Sequence, residues 1–172
     1  IAAVAAADAV VALDRKPIPE GVYYRSGAIE KADAEALLDT HRKIWAKASF
    51  LWEDEIFPPD AFLENWQETI RRILAKNANN LGVIMEDLEQ DPMAVMAYEQ
   101  ARRINPGNVS ALLNLYALNK RLESVHFRVL EQELKEWLEE PSEKTGIWTL
   151  SSVDGYVRNP VVFRRMGHSW AI

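Results

Sequence analysis

The sequence predicts an all-α protein of antiparallel helix pairs followed by an irregular C-terminal tail. Three observations lead there. Apolar residues recur at steps of three and four from about Ala28 to Leu138, the period that gives a helix one buried face. Helix-stopping and helix-starting residues separate these stretches at Pro58-Pro59, Asp91-Pro92, Asn105 to Asn108 and Pro141. The 172 residues are 48% apolar, enough to bury a sizeable core and unlike a disordered segment. The expected division is an N-terminal helix and loop over 1–27, a helical domain over 28–141 and the tail over 142–172.

The elements follow in order. Ile1 to Leu13 is rich in alanine and valine and is interrupted by Asp8. It falls short of the roughly 20 apolar residues that span a bilayer. Two readings stand: a packing helix whose alanines permit close approach, or the remnant of a signal peptide or membrane anchor. Asp8 favours the first. Because the chain begins at Ile1, it is expected to be a piece of something longer, under the second reading a membrane-tethered bacterial protein. Pro17, Pro19, Gly21 and Gly27 mark Asp14 to Gly27 as a loop. From Ala28, the spacing of Ile29, Ala36, Leu37, Ile44, Ala48 and Leu51 predicts a helix with one apolar face, with Trp45 and Trp52 beside it.

Pro58-Pro59 stops that helix, and Asp60 stands at an N-cap position. No proline interrupts Asp60 to Gln90, and Leu63, Trp66, Ile70, Ile73, Leu74, Ala78, Leu81, Met85 and Leu88 keep helical spacing. This predicts one long helix, or two joined near Lys76 to Asn80. Asp91-Pro92 predicts an N-cap and first turn for a helix running to Ile104. Asn105-Pro106-Gly107-Asn108 is a turn whose Asn108 caps the next helix, Val109 to Leu122. Ser124 then caps a helix with the stripe Phe127, Leu130, Leu134, Trp137 and Leu138, ended by Pro141. Ser142 to Ile172 holds short β-branched and aromatic runs broken by Gly146, Gly155, Pro160 and Gly167, expected to be irregular with short strands.

A search for internal repeats adds the most information. Ala78, Leu81, Gly82, Met85, Ala94, Tyr98, Ala101 and Pro106 have the spacing of one repeat, so Ala75 to Asn108 resembles a tetratricopeptide repeat. Gly82 and Ala94 are small where two helices must cross closely, Leu81 and Tyr98 fill the space between them, Ala101 leaves room for the next helix to dock, and Pro106 forces a turn. Ala78 and Met85 depart from the usual tryptophan and tyrosine. The next segment matches less well: Leu112 and Leu115 fit, but Tyr116 stands where glycine is usual, and Arg128 and Gln132 stand where a small residue and an aromatic belong. It reads as a degenerate repeat or a capping helix pair.

The resemblance implies a right-handed superhelical stack whose first helices line a concave groove for a peptide or partner protein. It implies groove positions Lys76, Asn79, Asn80, Val83, Leu113, Asn114, Ala117 and Arg121, on the exposed side of those helices. Asn80 and Asn114 are 34 residues apart, one repeat length, and an amide that both donates and accepts suits a peptide unit. Lys76, Lys120 and Arg121 would attract a carboxylate. The tail, with Val153, Tyr156, Val157, Val161 and Phe163, is a candidate internal occupant of the groove. The other reading is a structural or self-association domain, packing on its own tail or on a second copy as a homodimer.

The remaining chemistry points away from catalysis. With no cysteine, thiolate metal sites and cysteine nucleophiles are excluded. A net charge of -6 argues against a nucleic-acid partner. Gly167-His168-Ser169-Trp170-Ala171 imitates a nucleophile elbow but lacks the acid and histidine that should follow. Glu123 and His126 have di-iron spacing without a second copy, and His41, His126 and His168 are scattered. No phosphate-cradling or dinucleotide motif is present. The expectation is a binding scaffold, not an enzyme, with no cofactor.

Overall fold

Helical periodicity gives mostly helix, as predicted. The computed structural model describes residues 18–20, 23–25, 29–53, 61–139 and 152–158. The Ile1 to Leu13 stretch, Pro58-Pro59, the Asp60 cap, the Gly167 to Ala171 decoy, Val161 and Phe163 lie outside them. Among the described residues, α1 spans Ala34–Ala48, α2 Phe50–Glu53, α3 Ala61–Asp87, α4 Asp91–Ile104, α5 Val109–Arg121 and α6 Phe127–Glu139. A 3-10 turn, Lys31–Asp33, leads into α1.

Part of the predicted loop is instead a small hairpin. β1 (Ile18–Glu20) and β2 (Tyr23–Arg25) pair antiparallel in the register Ile18 with Arg25, Pro19 with Tyr24 and Glu20 with Tyr23. The sequence signal was Gly21-Val22, a two-residue spacing that suits a hairpin. Pro19 is tolerated because a two-stranded ribbon has free edges. Strand β1 lies on α3.

The first apolar face lies where predicted except at Ala36, which is exposed. Leu37, Trp45 and Leu51 are buried, Ile29, Ile44, Ala48 and Trp52 pack against the core, and Leu38 and His41 join them. The buried His41 satisfies Nδ1 on the Leu37 carbonyl at 3.0 Å, so a histidine sits on the apolar side. Asp91 is the first residue of α4 and Gln90 its N-cap, which moves Pro92 to the second helical position. Asn108 caps α5 as expected, its Oδ1 accepting from the Ala111 N–H at 2.8 Å.

Helix α3 is a single uninterrupted element of 27 residues. Its C-terminal half packs antiparallel on α4. Arg71 near one end reaches the Ile104 carbonyl at 3.2 Å, and Glu86 near the other accepts from the Tyr98 hydroxyl at 2.7 Å. A Cβ placed at Gly82 would stand 2.5 Å from Tyr98 Cδ1, so the helices meet as closely as a glycine allows. Ala78, Leu81, Met85, Ala94, Tyr98 and Ala101 are all fully buried in this crossing.

Helix α5 lies parallel to α3 with a constant offset. Asn114 bonds Asn79 and Arg121 bonds Glu86, pairs that are each 35 residues apart. Both helices also end alike. Glu89 and Glu123, 34 residues apart, adopt positive φ (57° and 54°). Each is followed by an N–H that reaches back five residues, Gln90 to Met85 (2.8 Å) and Ser124 to Asn119 (3.0 Å). The second helix pair departs from the first. Tyr116 is buried and its hydroxyl bonds Glu131 at 3.2 Å, Arg128 and Gln132 are exposed, and the inner face of α6 is built from Leu130 and Leu134. Arg102 of α4 grips the Glu133 carboxylate of α6 with both terminal nitrogens.

Candidate functional site

The two parallel helices bring three asparagine amides to one place. Asn79 and Asn80 sit on α3 and Asn114 on α5, and they are 0%, 2% and 1% exposed. An amide buried this deeply must find partners, because burial without them costs about 1–3 kcal/mol per group. Their partners are the backbone of another segment of the chain, residues 152–158.

The Tyr156 N–H donates to Asn80 Oδ1 at 2.8 Å. The Tyr156 carbonyl accepts from Asn79 Nδ2 at 2.9 Å and from Asn114 Nδ2 at 2.7 Å, using both lone pairs. The Arg158 N–H donates to Asn114 Oδ1 at 2.8 Å. In an extended chain the N–H and C=O of one residue and the N–H two residues on share an edge. The three amides thus make the bonds that a neighbouring strand would make. Asn114 Nδ2 also donates to Asn79 Oδ1 at 2.9 Å, and Asn80 Nδ2 to the Tyr24 hydroxyl at 3.1 Å. Burial pushes the Tyr24 phenol above its ordinary range, and the Asn80 bond opposes that shift.

The flanks of the segment are held separately. Lys76 Nζ donates to the Ser152 carbonyl at 2.5 Å. Asp154 reaches the start of α5: its Oδ2 accepts from the Val109 N–H at 3.1 Å, and its carbonyl accepts from Asn108 Nδ2 at 3.0 Å. Burial raises the Asp154 carboxyl above the usual aspartate range, while the Val109 N–H and the charges of Arg72 and Lys76 pull it down. Gly155 adopts φ +98°. At the other end Arg158 donates to Glu86 Oε2 at 2.9 Å and to Asp87 Oδ1 at 3.1 Å. The Glu86 side chain is 5% exposed and also holds Arg121 (3.1 Å) and the Tyr98 hydroxyl (2.7 Å).

The predicted groove residues divide accordingly. Lys76, Asn79, Asn80 and Asn114 touch the 152–158 segment directly. Val83 and Leu113 are buried in the core, Ala117 is half-buried, and no direct bond links these three to the segment. The expectation of an exposed groove wall is therefore corrected: the segment and the hairpin cover it. Arg121 stays half-exposed but bonds Asp91 and Glu86. Lys120 donates to the Tyr116 hydroxyl at 2.8 Å, beside that ring. Sequence reasoning missed Asn108, Glu86 and Tyr24. Asn108 offered the only local signal, as the N-cap beside the docked segment.

Among the described residues no helix is long and apolar enough to cross a membrane, and no group of three or more His, Cys, Asp or Glu side chains is placed to hold a metal. Compared with protein-family models, curated proteins and solved structures, the chain gives no significant match.

Proposed function

We propose that the chain is a tetratricopeptide-like interaction scaffold whose groove binds a short segment of polypeptide by its backbone. One observation carries this reading. Asn79, Asn80 and Asn114, on helices one repeat apart, make four hydrogen bonds to the main chain of Tyr156 and Arg158. Such bonds are indifferent to side-chain identity, which is how a groove accepts a peptide as a strand is accepted at a sheet edge. Two features support the repeat: the constant offset of α5 from α3, and the matching left-handed helix ends at Glu89 and Glu123. In this reading residues 152–158 are a resident occupant, and a partner peptide exchanges with them.

A second reading is favoured by the burial of Asp154 and Gly155 beneath the segment's own contacts. Under it the amides anchor the tail as a permanent part of the fold, and the domain has a structural or self-association role.

A displayed library of random peptides separates the two. It would be panned against the full chain carrying Gly155→Val, which displaces the resident segment, and against the same chain also carrying Asn80→Ala and Asn114→Ala. The binding reading predicts peptides retained by the first protein and lost by the second. Retention by neither, or equal retention by both, gives the structural reading the lead.

A further inference from the structure

We propose that the groove is sequence-selective and takes, from a partner polypeptide, an acidic-Gly-apolar-apolar-basic segment, of which Asp154-Gly155-Tyr156-Val157-Arg158 is the resident copy. This rests on the peptide-groove reading and adds a specificity that backbone bonding alone does not give.

Each fixed position has its own cause. At the acidic position a carboxyl oxygen accepts from the first N–H of α5, Val109, at 3.1 Å, a bond at the positive end of the helix that offsets part of what burying the group costs. The Asn108 amide closes on the carbonyl of the same residue at 3.0 Å, so the helix cap reads main chain and side chain together. The glycine position is the strictest. A Cβ at residue 155 would stand 2.5 Å from Asn80 Oδ1, 2.7 Å from Asn79 Nδ2 and 3.1 Å from the Lys76 carbonyl. The first two are the amides that bind the backbone, so any side chain would lift the strand off them. The φ of +98° adds a second penalty for every residue except glycine.

The two middle positions are apolar. Tyr156 and Val157 are half-buried and packed against the hydrophobic core, and Tyr156 is also held by its N–H and C=O. The basic position faces two carboxylates, Glu86 at 2.9 Å and Asp87 at 3.1 Å. Glu86 is nearly buried, so a cation arriving there meets a charge that water screens poorly. The acidic and basic ends of the segment thus fix its direction along the helices.

A partner segment can replace these bonds one for one. It must compete with a resident copy whose effective concentration, being on the same chain, is of millimolar order. The wild-type groove is therefore expected to bind such a peptide weakly, and a chain with a disabled resident copy to bind it well.

The test uses the full chain with Gly155→Val and, independently, with Arg158→Glu, together with a fluorescein-labelled Ser-Val-Asp-Gly-Tyr-Val-Arg peptide read by anisotropy. Both variants are expected to bind it about tenfold or more tighter than the wild type. Peptides with alanine for glycine, lysine for aspartate or glutamate for arginine are expected to lose about tenfold or more. If all the substituted peptides bind within about threefold of the parent, selectivity is refuted while the peptide groove stands. If no peptide binds either folded variant, both readings fall. A readout on the wild type needs no substitution. Excess parent peptide should speed hydrogen exchange at the Tyr156 amide, and the alanine peptide should not; equal acceleration by the two overturns the proposal.

Discussion

Gly82→Ala sets two opposed effects against each other at the crossing of α3 and α4. Alanine is the better helix former, and replacing an interior glycine is worth about 0.5–1 kcal/mol. Against that, the new methyl would meet the Tyr98 ring at 2.5 Å from Cδ1. The ring cannot swing aside. It is fully buried, and its hydroxyl is held by Glu86 at 2.7 Å. Overpacking of this kind costs about 1–3 kcal/mol, so the steric term outweighs the helix gain and the net loss is about 0–2.5 kcal/mol. For a chain of this length, thermal unfolding should fall by about 2–4 °C per kcal/mol. The assay is a double-mutant cycle with Tyr98→Leu, followed by circular dichroism. In the leucine background, where the ring is gone, Gly82→Ala should become neutral or stabilising. A rise in Tm on introducing Gly82→Ala into the wild type would refute the close crossing.

Four further outcomes are expected. Glu89→Gly and Glu123→Gly should each stabilise the protein by about 0.5–1 kcal/mol, because each glutamate holds a positive φ that glycine adopts freely; denaturant midpoints report the gain. Asn108→Ala removes both the cap of α5 and its bond to the Asp154 carbonyl, so chemical denaturation should show a loss of about 1–2 kcal/mol. Glu86→Ala takes the shared partner from Tyr98, Arg121 and Arg158, and should cost about 1–3 kcal/mol with the loss partly masked in high salt. Docking of residues 152–158 should also depend on pH. The Asp154 carboxyl is raised in the docked state, chiefly by burial, so the docked state takes up a proton more readily than the undocked one. The stabilisation is complete below the ordinary aspartate value of about 3.9 and is lost as pH rises through the raised value. Asp154→Asn should flatten that profile, as followed by hydrogen exchange at Tyr156.

The sequence made legible what is local. The period of α3, α4 and α5, the Asn108 cap, and the small residues Gly82 and Ala94 beside Tyr98 each depend on neighbours a few positions away. The edge of the first apolar face was less legible. Leu37, Ile44, Ala48 and Leu51 were read, but packing leaves Ala36 exposed and buries Leu38 and His41 instead. The matching helix ends at Glu89 and Glu123 carry no sequence signal, because glutamate is an unusual occupant of positive φ. The site shows the same limit. Asn80 and Asn114 could be picked out from their 34-residue spacing, and Asn79 from its place beside Asn80. Their partner Tyr156, 77 residues beyond Asn79, lies in the tail already read as a candidate occupant, but nothing local marks Asp154 and Gly155 as its anchors. Burial of the asparagines follows from that long-range contact, which is why they were expected on an open face.

The central claim is that side-chain amides on two helices hold the main chain of residues 152–158. It is tested most directly by amide hydrogen exchange at Tyr156 and Arg158, resolved by nuclear magnetic resonance. Both amides should be protected in the wild type. Asn80→Ala should release Tyr156 first, and Asn114→Ala should release Arg158 first, matching the two acceptors. Unprotected exchange at both amides in the wild type, or identical exchange in both variants and the wild type, would contradict the account.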